Sequence, residues 1–237
     1  MKPTAPPQLE APSRLATMAE LRAPLDAITL ALNFPRLVHA PRGDGRPILL
    51  LPGYRADANS MLPLRGFLRR LGYDARDWEL GRNTGNVDKL TARMREVVDA
   101  LFEDRGGDSI TLIGWSLGGI VARELARLEP ERVREVITMG SPIVGGPKYT
   151  AVGRRFADSN ALDLDAFEHQ IHERNSLGFD QPVTSIYSRF DGVVGWQASV
   201  DVYNPQARNI EVASSHFGLG FNGAVWRIIA ETLARDD

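Results

Sequence analysis

The stretch LIGWSLGGIVAREL, residues 112–125, places a serine among glycines where a short apolar run gives way to a helical pattern. Gly114-Trp115-Ser116-Leu117-Gly118, followed at once by Gly119, fits Gly-x-Ser-x-Gly. So short a motif arises by chance, and its position gives it meaning. Between a buried strand and a helix, a nucleophile elbow needs a sharp, strained turn with little side-chain bulk around it. Larger neighbours would collide with strand or helix. The glycines leave room for the Ser116 hydroxyl to project alone above a sheet.

Outward from this point the chain alternates between strand and helix signals. ILLLPGY (48–54) is an apolar run bounded by Pro and Gly, the mark of a strand buried on both faces. MLPLRGFLRRLGY reads as a helix stopped at Gly72, DARDWEL as a weak strand, and VDKLTARMREVVDALFEDRGG as a long amphipathic helix closed by Gly106. SITLIGW, VREVITMGS, PVTSIYSRF and ARNIEVAS supply four further strands, and AVWRIIAETLA a last helix. Strands separated by helices imply right-handed crossovers. The expected class is α/β, a doubly wound, mostly parallel sheet of about six strands. The 237 residues suit one such domain, read as residues 43–237.

Two segments stand apart. Residues 1–42 form a Pro-rich tail to about Ser13 and then a helical stripe of Leu15, Met18, Leu21, Leu25, Ile28 and Leu32, interrupted at Pro24. Packing of that stripe against the domain is the expectation, and weak contact with a lipid surface the alternative. Residues 146–181 break the alternation, polar and irregular except for Phe167 and Ile171, and read as an excursion carrying a helix.

Composition narrows the chemistry. A net charge of -2 gives no electrostatic reason to expect nucleic acid or an anionic membrane as partner. Without cysteine there are no disulfides, no thiolate catalysis and no Cys-ligated zinc. The opening residues lack the apolar core of a signal peptide, and no apolar run reaches membrane-spanning length. The expectation is a soluble, cytoplasmic protein.

A serine hydroxyl needs a base, and the chain has four histidines. His216, in SSHFGLGFN just after the last strand, satisfies the order serine, acid, histidine. His39 precedes the first strand, and His169 and His172 read as solvated helix positions. For the acid, Asp191 in YSRFDGVVGW follows a strand and precedes a turn-forming glycine. Asp163, Asp165 and Asp180 lie in the excursion, and Asp201 is further from a strand end. Oxyanion donors are expected at the backbone N–H of Leu117 and, after Gly53, of Tyr54. Trp115, Trp196 and Phe217, beside these motifs, are candidates for substrate binding and equally for ordinary core. GRNTG (81–85) could line the mouth through Arg82 or Asn83, although a plain polar loop is the simpler reading.

From about Gly43 to Leu233, through GDGRPILLLPGY, GWSLGG, ITMGSP, YSRFDGVVGW and SSHFGLGFN, the chain resembles the α/β-hydrolase family and its short bacterial esterase and lipase branch. The resemblance implies Ser116 as nucleophile, His216 as general base and then acid, Asp191 as orienting carboxylate, and no metal or cofactor. It implies a serine carboxylesterase acting on small apolar esters, with 146–181 in the place of a cap or lid. Two departures stand out: Pro52-Gly53 replaces the common His-Gly of the oxyanion loop, and a helical stretch stands where the first strands would be. Thioesterase or acyltransferase chemistry on the same triad is the nearest alternative, and a non-catalytic binding protein on the same scaffold the more distant one.

Overall fold

Six apolar or half-apolar segments pair side by side: β1 (Pro47–Leu51), β2 (Asp74–Asp77), β3 (Ile110–Trp115), β4 (Val133–Met139), β5 (Val183–Tyr187) and β6 (Arg208–Glu211). In this computed structural model, which describes residues 9–235, all five pairings are parallel and the strand order is β2-β1-β3-β4-β5-β6. Residues 1–8 of the expected tail lie outside the described residues.

The helices are α1 (Arg14–Met18), α2 (Ala23–Asp26), α3 (Ile28–Val38), α4 (Leu62–Leu71), α5 (Val87–Asp104), α6 (Leu117–Leu128), α7 (Gly153–Asn160), α8 (Leu164–Ser176) and α9 (Gly223–Leu233). Side chains alternate across the sheet as strand geometry requires. Ile48, Leu50, Ile113 and Ile137 pack with residues of α3, α4 and α9, while Leu49, Leu51, Leu112 and Val136 pack with α5 and α6. Burial on both faces explains why the central strands read as continuous apolar runs. The edge strands β2 and β6, DARD and RNIE, carry the charge that protects an open edge. From β1 the chain runs outward to β2, and α5 carries it back across β1 to β3. The carboxyl ends of β1 and β3 therefore flank the switch point where such sheets hold ligands.

The excursion holds two helices, α7 and α8, where one was expected. The N-terminal stripe departs from expectation more sharply. Leu15, Met18, Leu21, Leu25, Ile28 and Leu32 all face solvent, Leu21 at 86% and Leu32 at 75% exposure. The inward side of the segment carries small and polar groups instead. Thr17 Oγ1 donates to the Gly192 carbonyl at 2.8 Å, Glu20 and Asp26 are buried, and a Cβ at Gly192 would run into the Ala16 carbonyl. Its first part, through α2, is held by polar side chains and by backbone close to a glycine, whereas α3 packs into the core through Leu37 and Leu30; the stripe itself is left free.

Helix α6 is fixed at its far side by a buried ion pair, Arg123 Nη1 to Asp201 Oδ2 at 2.5 Å. Asp201 also accepts the Asn204 Nδ2 amide at 2.7 Å and the Tyr203 N–H at 2.9 Å. Among the described residues no helix is long and apolar enough to cross a membrane. Asp201→Ala leaves the Arg123 guanidinium buried without its counter-charge. It should lower unfolding free energy by about 3–5 kcal/mol, read from urea denaturation.

Candidate active site

Ser116 sits at φ 54° and ψ −123°, between the last residue of β3 and the first of α6. A non-glycine residue at positive φ stores about 1–3 kcal/mol and persists only where the surroundings hold it. Here its N–H bonds to the Met139 carbonyl at 2.8 Å, which docks the turn on β4. Gly118 lets the first turn of α6 ride directly over the end of β1, where any side chain would meet the Leu51 carbonyl. The loop after β1 stands equally close: a Cβ at Gly53 would lie 3.2 Å from Ser116 Cβ. Tyr54, the next residue, lines the same cavity as Ser116 and Leu117.

That loop is pinned by Asn83, fully buried. Its Nδ2 donates to the Pro52 carbonyl at 2.8 Å, its N–H to the Ala56 carbonyl at 2.8 Å, and its carbonyl accepts the Arg55 N–H at 2.9 Å. Asn83 is therefore a brace beneath the loop, neither a mouth residue nor a plain polar turn.

Beyond β4, Asp191 and His216 are both buried and joined, Nδ1 to Oδ2, at 2.7 Å. The other carboxylate oxygen accepts the N–H groups of Val193 and Val194 at 2.8 and 2.7 Å, which fixes the plane of Asp191. With Nδ1 donating, the neutral ring keeps its lone pair on Nε2. Burial works against the imidazolium, but the charges of Asp191 and Glu20 outweigh it, and the His216 pKa is raised above its ordinary 6.5. Gly140 closes the arrangement: a Cβ there would lie 2.9 Å from Asp191 Oδ2 and 3.1 Å from His216 Nδ1. The end of β4 thus touches the serine turn through Met139 and the Asp–His pair through Gly140.

The cavity over Ser116 has a volume of about 320 Å³. Ile120, Val152, Phe156, Leu162, Phe167 and Ile171 give it an apolar lining drawn from α6 and from the α7–α8 region. Phe167 and Ile171 are the two apolar residues that the sequence shows in the excursion. Trp115, Trp196 and Phe217 are not among its walls. Trp115, the last residue of β3, joins the opposite core, its ring 6.1 Å from that of His216. Trp196 stacks on Tyr187 at 5.8 Å under the Arg189 guanidinium, and Phe217 is half exposed beside His216. His39 and His169 are exposed, and His172 bonds Tyr203 at 3.1 Å, away from the serine turn.

A parallel six-stranded sheet, a strained serine turn at its switch point and a buried Asp–His pair on later loops define the α/β-hydrolase fold. Residues 81–168 match the family model described as "alpha/beta hydrolase fold". The chain is 31% identical over 132 residues, 54% of its length, to pimeloyl-[acyl-carrier protein] methyl ester esterase of Photobacterium profundum, covering 48% of that protein. It is 30% identical over 99 residues, 42% of its length, to the enzyme of the same name from Shewanella woodyi, covering 37%. The chain thus spans about half, or less, of the curated relatives it matches. Among solved structures it is similar to Aspergillus fumigatus lipase B, with a TM-score of 0.58 and 18% identity over 82% of this chain and 55% of that one. It is also similar to MGS-MChE2, an alpha/beta hydrolase enzyme from a lagoon-sediment metagenome, with a TM-score of 0.57 and 18% identity over 81% and 91%. These structural likenesses carry the fold.

In Asp191→Asn the nearer counter-charge and its ionic hydrogen bond are gone, and burial is opposed by Glu20 alone. The His216 titration, followed by NMR, should fall below that of the native protein. In the native protein the raised value stabilises the fold fully below the unfolded pKa, and that contribution is lost as pH rises through the folded one. In the variant this contribution should be smaller.

Proposed function

We propose that the chain is a serine carboxylic ester hydrolase that cleaves apolar acyl esters through an acyl-serine intermediate. The carrying observation is a serine on a strained turn, opening into an apolar cavity, with a buried Asp–His pair on the neighbouring loops. His216 Nε2 takes the Ser116 proton as Oγ attacks the ester carbonyl. The new oxyanion is met by the N–H groups of Leu117 and Tyr54. His216 then returns the proton to the departing alcohol, and water repeats the sequence on the acyl-enzyme. Asp191 holds the ring in its tautomer and steadies the imidazolium. Residues 146–181 act as a cap whose apolar side chains receive the acyl group, and so replace Trp115, Trp196 and Phe217 in that role. Ester hydrolysis is favoured over thioester cleavage or acyl transfer because both curated relatives are named as methyl ester esterases.

Ser116→Ala should retain the fold by circular dichroism and lose at least about a thousandfold in p-nitrophenyl butyrate hydrolysis. It should also lose covalent labelling by a fluorophosphonate. A folded Ser116→Ala that is as active as the wild type would remove Ser116 from the mechanism. A folded wild type inert to both probes would favour a binding protein.

The exposed stripe favours a second property, contact with an anionic lipid surface. Leu15, Met18, Leu21, Leu25, Ile28 and Leu32 are exposed together, Arg14 and Arg36 lie exposed at either end of them, and Glu20 and Asp26, the carboxylates between Arg14 and Arg36, are turned inward. An apolar face flanked by cations is the composition of an interfacial helix. The protein should float with anionic liposomes, and Leu21→Ser with Leu25→Ser should abolish this. Unchanged flotation of the double variant, or a dimer buried through the stripe, would overturn the reading.

A further inference from the structure

The N-terminal helices contribute more than an apolar face. Glu20, in the turn between α1 and α2, is buried and accepts three main-chain hydrogen bonds. Oε1 takes the Gly192 N–H at 2.7 Å and the His216 N–H at 2.9 Å, and Oε2 takes the Phe217 N–H at 3.0 Å. Gly192 adjoins Asp191, and His216 is the base itself. One carboxylate thus bonds both loops that carry the Asp–His pair, in addition to the side-chain bond between them.

The flanking contacts point the same way. Thr17 Oγ1 and Arg22 Nη2 donate to the carbonyls of Gly192 and Phe190 at 2.8 and 3.0 Å. Asp26 accepts from Ser215 N and Oγ at 3.2 and 2.8 Å and from Asn222 Nδ2 at 3.0 Å. Bonds from buried N–H groups to charged acceptors are the strong class of protein hydrogen bond. Shared between two loops on one carboxylate, they fix the separation of those loops as a strut does.

We propose that Glu20 is a positioning residue of the site, joining the Asp191 loop to the His216 loop from the N-terminal helices. The assignment rests on the ester-hydrolase reading above. Glu20 reaches the reacting atoms only through His216 and Asp191, so its effect is on where the imidazole stands and how readily it holds a proton. The charged groups facing that imidazole are Asp191 on the loop after β5, Glu20 from the turn after α1, and Asp26 from α2 through Ser215. All three are carboxylates. Removing one charge while keeping shape should make the ring easier to deprotonate.

Glu20→Gln does this, and its amide NH2 can no longer accept the third N–H. Compared with wild type, the variant should lose about tenfold to a hundredfold in kcat on p-nitrophenyl butyrate with KM little changed. The pKa governing kcat/KM, and the His216 titration seen directly by NMR, should both fall. Glu20→Asp keeps the charge and shortens the reach. It should lose rate while leaving the His216 titration near that of wild type, and it serves as the test if Glu20→Gln does not fold. A loss of rate in Glu20→Gln with an unmoved His216 titration would make Glu20 a general prop of the fold. Wild-type kinetics in either folded variant would remove the assignment altogether. If wild type itself hydrolyses no ester, the ester-hydrolase reading fails, and the NMR titration alone still decides whether Glu20 acts on His216.

Discussion

The left-handed turn at Ser116 is the constraint on which the rest of the site depends. It is unfavourable for any residue with a side chain, and it survives because its surroundings leave no alternative. The Ser116 N–H is tied to β4, the first turn of α6 lies on the carbonyl end of β1 at Gly118, and Gly53 closes from the next loop. The far face of α6 is locked by Arg123 and Asp201. Each contact excludes a different escape of the turn, and together they aim one hydroxyl into the cavity. The parallel sheet supplies these contacts as a matter of geometry, since it brings the carboxyl ends of β1, β3 and β4 side by side.

Around that rigid centre the loops of Asp191 and His216 are held differently. They lie on the carboxyl side of β5 and β6, where the sheet thins to a short polar edge strand. Packing alone would hold such loops loosely. Main-chain N–H groups directed at buried carboxylates take over: Asp191 gathers two, Glu20 three, and Asp26 the N–H and hydroxyl of Ser215. The α1–α2 part of the N-terminal segment is therefore attached by its polar side, which inverts the usual arrangement of an amphipathic helix on a globular domain, while α3 packs conventionally through Leu37.

Much of this is legible in the sequence because the underlying physics is local. Apolar runs mark the central strands, the charged edge strands show only weakly, and the glycines around Ser116 mark the turn. The order of Asp191 and His216 follows from strand ends, and the structure brings those two side chains together. Trp115, at the end of β3, joins the core on the face of α3, α4 and α9 and does not line the cavity over Ser116, because successive strand residues face opposite sides. The stripe misleads because periodicity reports that a helix has two faces and not which one is buried. The roles of Glu20 and Asn83 leave no trace, since their partners are backbone groups that any residue can supply, and Asp26 finds its partners far along the chain.

The bonds made by Glu20 span 172 to 197 residues of chain. Closing a loop of that length carries an entropic cost that local contacts do not meet, and structures built on such closures form late. The groups in direct contact with the serine turn, Leu51, Gly53 and Met139, lie much nearer to it along the chain. The loops of Asp191 and His216 find their third anchor only when the two ends of the fold meet. The surroundings of Ser116 are thus closed over shorter stretches of chain than those that set the Asp191 and His216 loops against each other.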